Sequence, residues 1–292
     1  HRDLHLSIRR QRQMCIRDRF FFLVAPLIAI VPISFSVSPF MVFTDGMLAW
    51  PPDPEAWSLR WYKNMIGDCS ADVVSSTVPC SNKWMIGTLN SFFIGIVATV
   101  IATSLGTLAA LGLSRPHMPF KGIIMAILIS PMIVPLIITA AGMFFFYARI
   151  NLVYTFTGVI LAHVALATPF VVITVTATLV GFDMNMVKAA QSLGARPVKT
   201  FFRVIMPLIL PGIISGALFA FITSFDEVVI VMFMASLDQL TIPKQMWAGI
   251  RQEISPVILC MATCLVALSI FLLTTVELLR RRSERLRGIK PR

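Results

Sequence analysis

Charge is what this chain has least of. Of 292 residues only 13% are Asp, Glu, Lys or Arg, and 57% are hydrophobic. An ordinary globular domain carries about 25% charged residues and about 45–50% apolar ones. So little polar material cannot dress a water-soluble particle, which sets aside soluble enzymes and nucleic-acid-binding domains. The apolar content is equally wrong for disorder, and no collagen-like or low-complexity repeat occurs. Chemical motifs are missing as well. No G-x-x-x-x-G-K-[ST] phosphate loop is present; the nearest fragment, Gly194 to Thr200 (GARPVKT), lacks the second Gly before Lys. H-E-x-x-H, G-x-S-x-G and CxxC are absent too, so no catalytic residue, metal site or cofactor is expected. Cys260 and Cys264 have no His or acid nearby and read as small packing residues.

What is present is hydrophobic length. A membrane-spanning helix needs about 20 mostly apolar residues. Six stretches qualify, at 20–43, 84–113, 121–148, 152–180, 207–235 and 255–279. Each is apolar all round, as a helix in lipid or deep in a bundle must be. Prolines recur within them (Pro26, Pro32, Pro131, Pro135, Pro169 and Pro211), and neighbouring helices can satisfy the backbone groups that such residues free. Ala98, Ala102, Gly106 and Ala110 stand four apart, a small-residue stripe that lets another helix approach closely. The expected fold class is all-α: a polytopic membrane protein of six transmembrane helices.

The net charge of +11 then becomes a topological signal. Segments expected inside the cell hold 19 Lys and Arg and the outer segments hold six, so both termini are expected in the cytoplasm by the positive-inside bias. Residues 1–19 stand apart, with six arginines and no apolar run. They read either as a basic cytoplasmic tail or as sequence foreign to the protein, such as read-through at the end of an assembled sequence. They carry no functional argument, and without them the inner count is still 13. The domain is therefore taken as 20–292. All five tryptophans (Trp50, Trp57, Trp61, Trp84 and Trp247) fall on the outer side, where an interfacial belt and a platform for an external partner are both open readings. The outer loop at 44–83 carries five acids, and its Cys69 and Cys80 could pair in an oxidising compartment.

Two places hold charge where it is expensive. Asp226 and Glu227 interrupt the fifth span, where a central charge costs roughly 2.5–3.5 kcal/mol. They read either as a structural ion pair or helix break, or as a negative lining for a cationic solute. His163, alone in the fourth span, reads as a hydrogen-bonded interior histidine rather than a proton relay. Between spans four and five, Met186 to Leu193 can form a short helix ended by Gly194. Arg196, Lys199 and Arg203 follow, and Pro207 opens the next span. Such a helix, held between two membrane helices, is either an amphipathic connector or an element that passes a push into the bundle.

This loop resembles the EAA-x3-G-x9-I-x-L-P coupling motif in permease subunits of binding-protein-dependent ABC importers. Ala189, Ala190, Gly194 and Pro207 stand at the motif's spacing, with Val204 and Met206 at its aliphatic positions and Lys188 replacing its Glu. The stretches SFDEVVIVMFM (224–234), TIPKQMWAGIRQEISP (241–256) and VELLRRRSERLRG (276–288) are similar to the spermidine/putrescine branch of that family; related branches move opines, iron or other small solutes. The resemblance covers about 20–292 and implies a type I importer bundle in a bacterial inner membrane. It also implies ATP-binding subunits docked at the coupling loop, 181–206, through Lys188, Ala189, Ala190, Gly194 and Pro207. A second permease subunit and an extracytoplasmic solute-binding protein complete the expected assembly, with Asp226 and Glu227 on the expected solute pathway. A self-sufficient secondary transporter would instead call for two internally repeated halves, and none is evident.

Overall fold

The computed structural model describes residues 2–68, 82–115, 117–180, 182–183, 185–252 and 255–286. Among the described residues the secondary structure is helical throughout, apart from one isolated bridge between Ser36 and Trp57. The chain divides into two compact units, 1–85 with 248–292 and 86–247.

The first unit begins with α1 (Arg2–Ile33). Residues 20–43 were expected to span as one piece, yet the helix stops at Ile33. Pro32 lies in its last turn, and the serines that follow offer local hydrogen-bond partners that compete with helix continuation. Ser34 Oγ donates to the Val31 carbonyl (2.7 Å), and the N–H groups of Ser38 and Phe40 donate to Ser36 Oγ and Ser38 Oγ. Two short helices follow, α2 (Asp45–Leu48) and α3 (Arg60–Met65). Trp61 of α3 is fully buried, and its indole N–H donates to the Ser36 carbonyl at 2.8 Å. Tyr62 OH meets Ser34 Oγ at 2.7 Å, and burial raises the phenol pKa. The last described helix, Val257–Leu286, joins this cluster: the Cys260 thiol donates to the Ser34 carbonyl at 3.3 Å, so Cys260 is a buried packing residue.

The second unit is built around three long apolar helices. These are α4 (Lys83–Leu113), whose first three residues precede the unit boundary, α7 (Phe156–Val180), and a continuous helix from Pro197 to Phe225. Thr155 caps α7 by accepting the Gly158 N–H at 3.0 Å, as an N-terminal hydroxyl does. Helices in lipid gain little from apolar burial against one another, so close backbone approach holds them together. The expected stripe on α4 is buried at all four positions. A Cβ added to Gly106 would lie 2.7 Å from Val171 Cβ of α7. From the other side, a Cβ on Gly216 would lie 3.0 Å from the same Val171's Cα. Gly212, Gly216, Ala220 and Ser224 are all buried at a spacing of four, a second small-residue stripe that the sequence reading passed over.

Between α4 and α7 lie α5 (Lys121–Ile133) and α6 (Leu136–Arg149), bent by 103° where one span at 121–148 was expected. Pro135 supplies the cause: it lacks an N–H and forces the preceding residue out of the helical region. Val134 accordingly sits at φ −69, ψ 136. Three described helices are long and apolar enough to cross a membrane, or four if the bent pair is one span. Of the expected 255–279 stretch, residues 257–279 lie in the last described helix, of which Val257–Phe271 is a shorter apolar segment.

Candidate functional site

The coupling segment begins with α8 (Asn185–Ser192). The Asp183 carboxylate accepts the Asn185 N–H at 2.9 Å, occupying an orphan donor at the start of the helix. Its end is a complete Schellman motif: the Ala195 N–H reaches the Ala190 carbonyl (3.0 Å) and the Gly194 N–H reaches the Gln191 carbonyl (2.9 Å). Gly194 closes it in the left-handed region at φ +78, and a Cβ there would meet nothing within 4 Å. The demand for glycine at this position is therefore conformational rather than steric. Lys188, Ala189 and Gly194 are exposed and Ala190 is half-buried, so the motif residues form an outward surface.

Pro197 opens the next helical turn, α9 (Pro197–Thr200), with Arg196 as its N-cap residue. A π-helical turn at Phe201–Ile205 joins it to α10 (Met206–Phe225). Pro207 was expected to open the span; instead the helix starts ten residues earlier, because Pro197 is suited to a first-turn position and Pro207 falls at the π-turn junction.

At the far end of α10 the helix breaks at the two acids, which differ in burial. Asp226 is the C-cap residue and exposed. Glu227 is 7% exposed, and its Oε1 accepts the Ile230 N–H at 2.8 Å, at the start of α11 (Val229–Met234). At the other end of α11, Lys244 of α12 (Ile242–Gln252) donates to the carbonyls of Ala235 (2.8 Å) and Val231 (3.3 Å). Carboxylate at the start and ammonium at the end is the arrangement that the helix dipole favours. Burial pushes the Lys244 pKa down from its ordinary value. Lys244 escaped the sequence reading because its partners are main-chain carbonyls, which leave no trace in side-chain pattern. His163 of α7 is 1% exposed, with Nδ1 at 2.8 Å from Ser224 Oγ in the last turn of α10.

The coupling residues and the acids are thus not brought together. They sit at opposite ends of α10, whose 20 residues span about 30 Å. The tryptophans also divide: Trp61 and Trp84 are buried, while Trp50, Trp57 and Trp247 are exposed. Cys69 and Cys80 lie outside the described residues. Among the described residues no group of three or more His, Cys, Asp or Glu could hold a metal ion.

Residues 102–285 match the family described as binding-protein-dependent transport system inner membrane component. The chain is 27% identical to the spermidine/putrescine transport system permease protein PotC of Haemophilus influenzae, covering 92% of this chain and 98% of that one. It is 30% identical to the putrescine transport system permease protein PotI of Escherichia coli K12, covering 84% and 81%. In fold it is similar to a chain of a bacterial ABC transporter involved in alginate import, with a TM-score of 0.69 at 14% identity over 95% of this chain and 97% of that one. With this family match running from the C-terminal part of α4 through α7, the exposed α8 and α10, the chain belongs to the inner-membrane permease components of binding-protein-dependent transport systems.

Proposed function

We propose that this chain is one of two permease subunits in an ATP-driven importer, carrying a small cationic, polyamine-like solute into the cytoplasm by alternating access. The observation that carries the coupling half is α8 itself: an exposed helix closed by a Schellman turn at Gly194 and joined to one end of α10. ATP hydrolysis takes place on separate subunits, one of which receives α8. A solute-binding protein delivers cargo to the opposite face, and the second permease subunit completes the pathway.

Force on α8 would pass through α9 into α10, because the helix from Pro197 to Phe225 is continuous. It would arrive at the Asp226–Glu227 break, where the two acids take different parts. Asp226, exposed at the helix end, offers a carboxylate to an ammonium group. Glu227 is spent on the α11 N-terminus. The polyamine class is supported by the relatives' names together with that carboxylate. Placement of both termini in the cytoplasm rests on the Lys and Arg asymmetry.

The test is uptake of labelled putrescine by the reconstituted complex carrying Asp226→Asn. A several-fold rise in the concentration needed for half-maximal uptake is expected, with unchanged ATPase coupling. Wild-type uptake by this variant would remove Asp226 from the pathway.

A further inference from the structure

A cavity of about 630 Å³ lies beneath the coupling helix, within 86–247. It opens where the C-terminal ends of α4 and α7 meet α8, α9 and the π-helical turn. Leu111, Leu179 and Ile205 contribute apolar wall. This volume and lining suit a ligand with a substantial hydrocarbon body.

Its polar side chains among the described lining residues are Ser114, Arg115, Gln191 and Thr200. Arg115 is the sole charged side chain among the described lining residues. Arg196, Lys199 and Arg203 add positive charge on the adjoining segment, while Asp183 nearby is engaged by the Asn185 N–H. Thr200 also lines the cavity and is 2% exposed, yet its Oγ1 has no hydrogen-bond partner. A buried hydroxyl left unpaired is costly and calls for explanation. An occupant bearing acceptor oxygens would answer both the hydroxyl and the guanidinium. Position identifies the source of such a molecule. Ser114 and Arg115 directly follow α4, and Phe182 follows α7 after one residue, so the cavity sits where two apolar helices leave the hydrocarbon layer.

We infer that this cavity binds an anionic phospholipid of the surrounding bilayer, its phosphate on Arg115 and Thr200 and an acyl chain along the Leu111–Leu179–Ile205 wall. A free glycerol phosphate shares the headgroup chemistry but has nothing to fill the apolar part. The inference does not depend on the transported solute or on the ATPase partner.

The full-length chain, purified in micelles holding equimolar phosphatidylglycerol and phosphatidylcholine, gives the test by native mass spectrometry of retained lipid. Wild type retains phosphatidylglycerol over phosphatidylcholine by about tenfold: both bring a phosphate, but only phosphatidylcholine brings a trimethylammonium, which the positive charge of Arg115, Arg196, Lys199 and Arg203 repels. Arg115→Gln abolishes that preference. Val198→Trp, at a rim position 69% exposed, lowers retention of both lipids without touching the helix packing. Equal retention of the two lipids by wild type, an unchanged preference in Arg115→Gln, or unchanged retention in Val198→Trp would each overturn the assignment. So would equal retention of sn-glycerol 3-phosphate offered alone, which would point to a soluble ligand.

Discussion

Asp226 and Glu227 are neighbours in sequence and differ in almost everything else. One is exposed at a helix end; the other is buried and accepts a main-chain N–H. Glu227→Ala removes the carboxylate that accepts the Ile230 N–H at the start of α11 and should lower stability by about 1 kcal/mol, the usual worth of a hydrogen bond to a helix's first-turn N–H. Thermal unfolding in detergent would register this, while Asp226→Asn should leave the melting temperature unchanged. A melting temperature unaffected by Glu227→Ala would deny the capping role. Lys244 gives a pH signature. Its pKa is lower in the folded chain than its ordinary 10.5, so the unfolded chain holds the proton more firmly just below that pH. The folded state therefore gains stability from this group as pH rises through that window. Relative to Lys244→Met, wild type should become more stable on going from neutral pH towards pH 10; a constant difference would contradict the burial.

At the scale of elements, α8 and α10 carry the account. Gly194 holds a left-handed conformation that costs other L-residues roughly 1–2 kcal/mol, more for a β-branched one. On α10, Gly216→Val would drive a side chain into α7 at Val171, where even a Cβ comes within 3.0 Å of the Cα. Overpacking of this kind costs typically 1–3 kcal/mol, so the variant should unfold at a lower temperature, and an unchanged melting temperature would refute the close packing. The apolar helices and the α8–Gly194 turn were legible in the sequence, because span length and a glycine helix stop are local signals. The bend at Pro135 was less legible. Proline inside an apolar run can either kink a helix or be absorbed, as Pro169 and Pro211 are within α7 and α10. The end of α1 at Ile33 was hidden in the same way: Ser34 and Ser36 turn the chain through partners at Tyr62 and Trp61, 28 and 25 residues away. The separate fates of Asp226 and Glu227 were invisible, since only the backbone decides which of two adjacent acids meets a helix start.

For the whole molecule, family and fold together describe a multi-pass permease component, and the charge scarcity that excluded soluble functions is what makes α8 and Asp226 stand out. The mechanical proposal is that α8 delivers force to a helix whose other end bears Asp226, the acid proposed to meet the solute. Its most direct test is solute-stimulated ATP hydrolysis, measured with uptake, in proteoliposomes holding the complete importer with wild-type chain or Gly194→Val. The account predicts normal membrane insertion of the variant with stimulation and uptake both reduced about tenfold or more, equivalent to ~1.4 kcal/mol of lost coupling. Full stimulation and uptake by Gly194→Val would contradict it.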